Sequence, residues 1–251
     1  MLYNQLQHFA LQTVRADNLR LCDIGMGLHF TFATVSDGNM TATGVALTPS
    51  AEGSVGGMDT VDILKVLEES LSYDSGKRSF GLAVINAVSQ YKLMQNPPIL
   101  FEDLRQQLTQ FILQKTTPSS KIVFIGHLQP VVKALKAAGR NPVVFCRQHS
   151  DPANGIYSDI YEYDAMRDAD IVVITGAALI GSTVDALLHF AKDVPIKIMA
   201  GFSAGVFPAW FHESGITHVA SIYLENVKLA SLLQHNFEHI FTYPCYIETV
   251  S

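Results

Sequence analysis

The chain has 251 residues, of which 48% are hydrophobic and 16% are charged. This composition excludes a disordered chain and a charged coiled coil, which need more charge, and a collagen, which needs glycine at every third position. Seventeen basic and 23 acidic residues give a net charge of −6 without a basic run, so we expect no nucleic acid partner. The length suits one large domain or two modest ones.

The apolar composition requires a check for membrane spans. The most apolar long segment, residues 171–191, contains Asp185 and His189 and is interrupted by two glycines, so we expect no transmembrane helix and no membrane partner. Residues 1–8 lack the basic and apolar regions of a secretory signal, which favours a cytoplasmic protein. Buried parallel strands, which are apolar on both faces, explain the composition better.

The first part of the chain predicts a helix, a β-hairpin and three further helices. Apolar residues three or four apart predict a helix over residues 2–15. Two β-rich segments, 28–35 and 40–47, flank Asp37-Gly38, a pair typical of hairpin turns. The further helices are expected after an N-cap at Asp59, over residues 79–93 and over residues 101–113.

The first of these three helices should bury one face. The apolar residues of that face are Val61, Leu64, Leu67 and Leu71. A Gly/Ser-rich loop over residues 48–57 precedes it and is long enough to reach a second domain. Whether residues 52–59 close over a cleft stays open at this point.

Residues 115–120 read Lys-Thr-Thr-Pro-Ser-Ser and indicate a linker. We therefore predict an N-terminal α+β domain over residues 1–117 and a C-terminal domain over residues 118–251. In the second domain, apolar strands alternate with helices, which is typical of an α/β, Rossmann-like, doubly wound parallel sheet. The strands are expected at residues 122–125, 142–146, 171–174, 196–200 and 217–222. The helices are expected at residues 130–138, 164–168, 180–191, 206–214 and 224–234.

Three loops of the second domain follow apolar strands and open helices, at residues 126–130, 175–179 and 201–205. Ligands of doubly wound sheets bind at the carboxyl ends of the strands, where backbone N–H groups face anionic groups. Glycine and hydroxyl side chains in these loops permit such a close approach. The candidate ligand-binding residues of the loops are Gly126, His127, Thr175, Gly176, Ser203 and Gly205.

Two polar residues add candidates of a different kind. His127 lies at the mouth of the first loop and could transfer protons or act as a metal ligand near neutral pH. Asn86 lies inside an otherwise apolar helix, so it needs partners and is expected to face a cleft. A standard NAD site is not expected, because the first loop lacks the second glycine of G-x-G-x-x-G and Cys146-Arg147 ends the next strand.

Residues 201–205 read Gly-Phe-Ser-Ala-Gly and match the G-x-S-x-G pattern of serine hydrolases by letter. Such an enzyme needs an acid and then a histidine after the serine, and little chain remains after Ser203. A hydrolase using Ser203 is therefore the weaker alternative. His235 and His239 are four residues apart without a neighbouring H-E-x-x-H motif, and we interpret them as a solvated pair.

Several segments resemble one known family. Residues 124–131, 173–188 and 200–208 resemble the Rossmann-like domain of the family described as "putative heavy-metal chelation". Residues 44–46 and 81–87 are similar to its N-terminal domain, whose fold is like the enolase N-terminal domain. The resemblance covers nearly the whole chain. The third loop departs from the family, with Gly-Phe-Ser where Gly-Pro-Ser is usual.

The resemblance implies a cleft between the two domains that binds a heavy metal or a metal chelate. Carried over to this chain, the cleft would be lined by Asn86, Gly126, Thr175, Gly176 and Ser203, with His127 in the first loop. The resemblance implies no specific reaction. A heavy metal ion is the only cofactor that the resemblance suggests.

The leading hypothesis is a two-domain cytoplasmic protein that binds a small anionic molecule or a metal complex in this cleft. The alternative is a transferase or lyase that acts on a nucleotide-like, pterin-like or other small anionic ligand at the same loops. No catalytic residue is assigned. Whether the protein forms a homodimer is left open by the sequence.

Overall fold

The computed structural model describes residues 1–49, 62–147, 149–225 and 237–250. Two sheets are present in these ranges, one antiparallel with three strands and one mostly parallel with seven. The predicted α/β fold class is therefore confirmed. Within the same ranges, no helix is both long enough and apolar enough to cross a membrane.

The helices and strands occupy two consecutive parts of the chain. The first part contains α1 (Leu2–Ala16), β1 (Arg20–Met26), β2 (Phe30–Ser36), β3 (Thr41–Leu47), α2 (Ile63–Glu69), α3 (Ser75–Gln95) and α4 (Leu104–Lys115). The second part contains β4 (Ile122–Ile125), α5 (Gln129–Ala137), β5 (Val143–Phe145), β6 (Ile156–Tyr157), α6 (Glu162–Met166), β7 (Ile171–Thr175), α7 (Ala177–Ile180), α8 (Val184–Phe190), β8 (Ile196–Ala200), β9 (His218–Ile222) and β10 (Cys245–Thr249).

The predicted hairpin forms between β2 and β3. The Asp37 carboxylate accepts the backbone N–H groups of Asn39 and Met40, each at 2.8 Å, and Gly38 has a positive φ of 98°. Both features stabilise a tight turn at this point. The sequence analysis missed β1, which pairs with β2 through an irregular register between Leu21 and Asp23, because this strand lacks a regular alternation of buried and exposed residues.

Helix α2 begins later and buries a different face than predicted. The side chain of Asp62 accepts the N–H groups of Leu64 and Lys65 and so caps the helix. Leu64 and Leu71 are exposed, and the buried residues are Ile63, Val66 and Leu67. The predicted cap at Asp59, Val61 and most of the Gly/Ser-rich loop lie outside the described residues.

Helix α3 is the central helix of the molecule. It begins four residues earlier than predicted because Asp74 caps it through the N–H of Lys77. It packs on β2 and β3 and also meets α7, so nearly all its residues are buried. At Gly44, β3 approaches the helix so closely that a Cβ would lie 2.0 Å from the backbone nitrogen of Ala87.

The large sheet has the strand order β10-β9-β8-β7-β4-β5-β6, with only β10 antiparallel to its neighbour. From β4 the chain runs outward to β5 and β6, and then returns to β7 on the other side. This reversal is the point at which open α/β sheets bind ligands, outside the carboxyl ends of the strands. The strands β4 and β7 form its two sides.

Two predicted helices of the second part differ from the structure. The helix expected over residues 180–191 is present as α8 but begins four residues later, because α7 ends at Gly181 and Ser182 adopts a left-handed φ of 56°. The helix expected over residues 206–214 is a short 3-10 turn, Pro208–Phe211. Phe207 precedes a proline and is therefore extended, which prevents a helix from crossing it. Most of the helix expected over residues 224–234 lies outside the described residues.

Helix α4 packs against the large sheet. Its buried residues Leu104, Leu108 and Ile112 belong to the same apolar cluster as Ile122 and Phe124 of β4. The sequence analysis placed α4 in the N-terminal domain, and the boundary between residues 117 and 118 stays a prediction. The strand β10 and the short β6, both edge strands of the large sheet, were missed because neither has a long apolar pattern.

Candidate functional site

The first and second predicted loops meet at the carboxyl ends of β4 and β7. Gly126 follows β4 with a positive φ of 98°, and its N–H donates to the carbonyl oxygen of Phe145 at 2.7 Å. A Cβ on Gly126 would lie 2.4 Å from the hydroxyl oxygen of Thr175. Glycine is therefore required by both the conformation and the contact at this position. The structure brings Gly126 and Thr175 together, as the parallel strand order implies.

The second and third loops are in contact through their backbones. A Cβ on Gly176 would lie 2.3 Å from the carbonyl carbon of Ser203 and 2.4 Å from the nitrogen of Ala204. Gly201 turns the chain out of β8 with a φ of 97°. Each of the three loops thus contacts the next at the carboxyl ends of β4, β7 and β8.

Ser203 and Asn86 meet where the two sheets adjoin. The Ser203 hydroxyl accepts the N–H of Leu47 at 2.9 Å. The Asn86 amide nitrogen donates to the carbonyl oxygens of Val45 at 2.7 Å and Ser203 at 3.2 Å. Asn86 is 1% exposed and Ser203 is 4% exposed. Within the described residues both side chains seal the junction between the sheets, and the ligand contact predicted for each stays a prediction.

Gly205, at the end of the third predicted loop, lies among polar side chains. A Cβ added to it would lie 3.5 to 3.6 Å from atoms of Asn86, Gln90 and Ser221. The side-chain Oδ1 of Asn86 has no hydrogen-bond partner among the described residues, although it is buried. Gly205 therefore lies beside Asn86 at the base of the loops.

Three side chains of α3 bind backbone oxygens at or after the carboxyl ends of β7, β8 and β9. Arg78 donates to the carbonyl oxygens of Ile180 and Leu179 after β7, at 2.8 and 3.0 Å. Asn86 binds Ser203 after β8, and Gln90 donates to the carbonyl oxygen of Ile222 in β9 at 3.1 Å. Helix α3 thereby holds the carboxyl edge of the sheet in place from the side of the small sheet.

Ser203 lacks the partners of a hydrolase nucleophile. Among the described residues, neither a histidine nor a carboxylate hydrogen-bonds to its hydroxyl, which is occupied by the N–H of Leu47. A serine nucleophile needs an adjacent base that accepts its proton. The arrangement therefore gives no support to the serine hydrolase alternative.

His127 is half-buried and lies beside a second histidine that the sequence analysis missed. The rings of His127 and His149 are stacked with centroids 6.2 Å apart and an interplanar angle of 20°. Burial lowers the pKa of His127, and electrostatic interactions with His149, Lys133 and Lys136 lower it further. His127 is accordingly neutral at pH 7, the form in which imidazole binds metals. No motif marks His149, which becomes visible only as the neighbour of His127.

Arg147 reaches across this edge of the sheet. Its Nε donates to a carboxylate oxygen of Asp159 at 2.6 Å, and a Cβ on Gly181 would lie 3.2 Å from its Nη1. Arg147 follows β5, whereas Gly181 follows α7 and β7, and β4 lies between these strands. Arg147 therefore connects the segment after β5 with Asp159 and with the segment after α7. The sequence analysis noted Arg147 only as a departure from an acidic position.

Glu162 is a buried carboxylic acid that interacts electrostatically with Arg147. It is 2% exposed, and its Oε2 has no hydrogen-bond partner among the described residues. Burial, and to a smaller extent the charge of Asp159, raise the pKa of Glu162 to about 7 against the opposing effect of Arg147. No sequence pattern distinguishes Glu162 from the exposed carboxylates around it.

The described residues do not build a complete metal centre. They contain no group of three or more His, Cys, Asp and Glu side chains arranged to hold a metal ion. A protein-built zinc or similar site uses three or four such ligands. The pair formed by His127 and His149 supplies two imidazoles, so a metal held there needs further ligands from elsewhere.

Comparison with known proteins identifies relatives of the whole chain. Two family models, both described as "Putative heavy-metal chelation", match residues 10–89 (DUF4213) and residues 110–239 (DUF364). An uncharacterized protein of Methanocaldococcus jannaschii is 31% identical over 240 residues, which cover 92% of this chain and 90% of that protein.

Two solved structures have the same fold. A protein of unknown function from the DUF364 family of Pyrococcus horikoshii is 24% identical, with a TM-score of 0.84 and full coverage of both chains. A DUF364 protein of unknown function from Desulfitobacterium hafniense is 14% identical, with a TM-score of 0.75 and 98% coverage of each chain. The two family matches and the archaeal relative establish that the chain belongs to the family described as "Putative heavy-metal chelation", as the resemblance had predicted.

Proposed function

We propose that the chain binds a small anionic ligand or a heavy-metal complex at the carboxyl edge of the large sheet. One observation carries the proposal: the stacked pair of His127 and His149 lies at the switch point of the sheet, beside the loops of Gly126 and Thr175. The family description supports the heavy metal, and the strand order supports the position.

The chemistry of the loops suits such a ligand. A neutral His127 offers a nitrogen lone pair to a metal, and imidazole binds zinc, copper, iron and nickel. The half-buried Thr175 brings a hydroxyl group against Gly126, the residue before His127. The other candidate residues contact protein atoms, so their proposed role is to position the loops. They are Gly176, Ser203, Gly205 and Asn86.

The test is the affinity of the protein for nickel citrate, measured by isothermal titration calorimetry. His127→Ala is expected to weaken binding by about tenfold or more, because loss of groups around a metal commonly costs that much. His8→Ala removes an exposed histidine of α1 and serves as the matched control, with unchanged affinity. Equal affinities of the wild type and His127→Ala would contradict the proposal.

The strand order of the large sheet favours a second candidate. Sheets with this order bind nucleotides at the same edge. A transferase or lyase acting on a nucleotide-like or other small anionic ligand would therefore use the same loops. Turnover of a panel of nucleotides and pterins, monitored by mass spectrometry, separates it from a pure binding protein, which leaves every compound unchanged.

A further inference from the structure

We infer that Arg147 binds an oxyanion, such as a phosphate or carboxylate group, and that Glu162 takes up a proton when the anion binds. Arg147 follows β5, while Asp159 and Glu162 follow β6, and the three side chains interact with one another. The inference goes beyond the proposed function, because it assigns a second place of binding that does not depend on the histidine pair.

The first step is the geometry of the Arg147 side chain. Its Nε donates to Asp159 at 2.6 Å, and the guanidinium lies against Gly181, where an added Cβ would lie 3.2 Å from Nη1. The side chain is 61% exposed, and neither terminal nitrogen forms a hydrogen bond within the described residues. A guanidinium that is held on one edge presents its other N–H groups as a fork that matches an oxyanion. Arg147 is therefore oriented by its protein contacts and still has donors for a ligand.

The second step concerns the buried acid beside this pair. Glu162 is 2% exposed, and its Oε2 has no hydrogen-bond partner in the described part of the chain. A buried carboxylate without a partner is costly, so burial favours the protonated form and the pKa is about 7. Asp159 raises this pKa and Arg147 lowers it. Helix α8 and strand β4 also pack against α6, but no described side chain of theirs acts on the Glu162 carboxyl group.

The third step is the charge balance of the three side chains. When Glu162 is protonated, Arg147 and Asp159 cancel, whereas ionised Glu162 leaves the cluster with a net negative charge. An anion on Arg147 adds negative charge and competes for the cation that stabilises the Glu162 carboxylate. The bound anion therefore favours the protonated acid, and by reciprocity the protonated acid favours the anion.

The experiment uses sulfate, which does not titrate between pH 6 and pH 8 and represents a phosphate group. An NMR titration at constant ionic strength, followed through the amide signals of Gly181 and Glu162, gives its dissociation constant. Arg147→Gln is expected to weaken sulfate binding by about tenfold at pH 6, the size of one charge-assisted pair. Arg20→Gln, at an exposed position of β1, removes the same charge and should keep the wild-type affinity.

The proton is tested by comparing Glu162→Gln with the wild type at the same pH, so that the other titrating groups cancel. At pH 6 the two proteins should bind sulfate equally, because most Glu162 is protonated. At pH 8, Glu162→Gln should bind sulfate about fivefold more tightly, since an ionised Glu162 opposes the anion in the wild type alone.

Acetate, titrated in the same way, represents a carboxylate and distinguishes the two kinds of oxyanion. The inference is overturned if neither probe binds, or if Arg147→Gln binds both as the wild type does at pH 6. Equal affinities of the wild type and Glu162→Gln at pH 8 overturn it as well. The calorimetric comparison of the wild type with His127→Ala decides the proposed function independently, so either conclusion can fail without the other.

Discussion

Gly176→Ala is expected to lower the free energy of unfolding by about 3 kcal/mol, a large effect for one methyl group. The new Cβ would lie 2.3 Å from the carbonyl carbon of Ser203, and both partners are backbone atoms that cannot rotate away. The second and third loops must therefore separate. Urea unfolding of both proteins, followed by circular dichroism, measures the difference.

The control for this change lies in the same loops. A Cβ on Gly205 would meet its nearest neighbours at 3.5 to 3.6 Å, which is ordinary contact, and Gly205 has a negative φ of −70°. Gly205→Ala should therefore change stability by less than about 1 kcal/mol. If the two variants are equally stable, the loops do not pack as tightly as the contact at Gly176 indicates.

Glu162→Gln is expected to stabilise the protein at pH 8 and to leave its stability nearly unchanged at pH 4. Burial raises the pKa of Glu162 from an ordinary value of 4.5 to about 7. Between these two pH values the folded state holds a proton that the unfolded state has released, so the free energy of unfolding falls as the pH rises. The full shift corresponds to about 3 kcal/mol at most, lost above pH 7. Glutamine removes this loss because it stays neutral.

The measurement is urea unfolding of the wild type and of Glu162→Gln at intervals from pH 4 to pH 8. Glu68→Gln, at an exposed position of α2, is the matched control, and its difference in stability from the wild type should not change comparably with pH. A constant difference between the wild type and Glu162→Gln across this range would show that folding does not change the pKa of this carboxyl group.

The two parts of the candidate site differ in how far they could be predicted. The loops of Gly126, Thr175 and Gly201 follow from local patterns, because a short apolar strand followed by glycine is a signal contained within about ten residues. The resemblance to the family rested on the same segments and was confirmed. Arg147 and Glu162 carry no such signal, since their neighbours come from other elements of the chain.

The sequence by itself determined five of the seven strands of the large sheet, the hairpin between β2 and β3, and the family. The three loops contain few charged residues, so the sequence also predicted that backbone and hydroxyl groups hold a ligand there. The structure adds the charges of Lys133 and Lys136 near His127. Only the tertiary structure decided that α4 packs on the large sheet, that α3 seals the junction at Asn86 and that His149 stacks on His127. Periodicity reports which face of an element is apolar, whereas the partner of that face is chosen by packing between residues far apart in the chain.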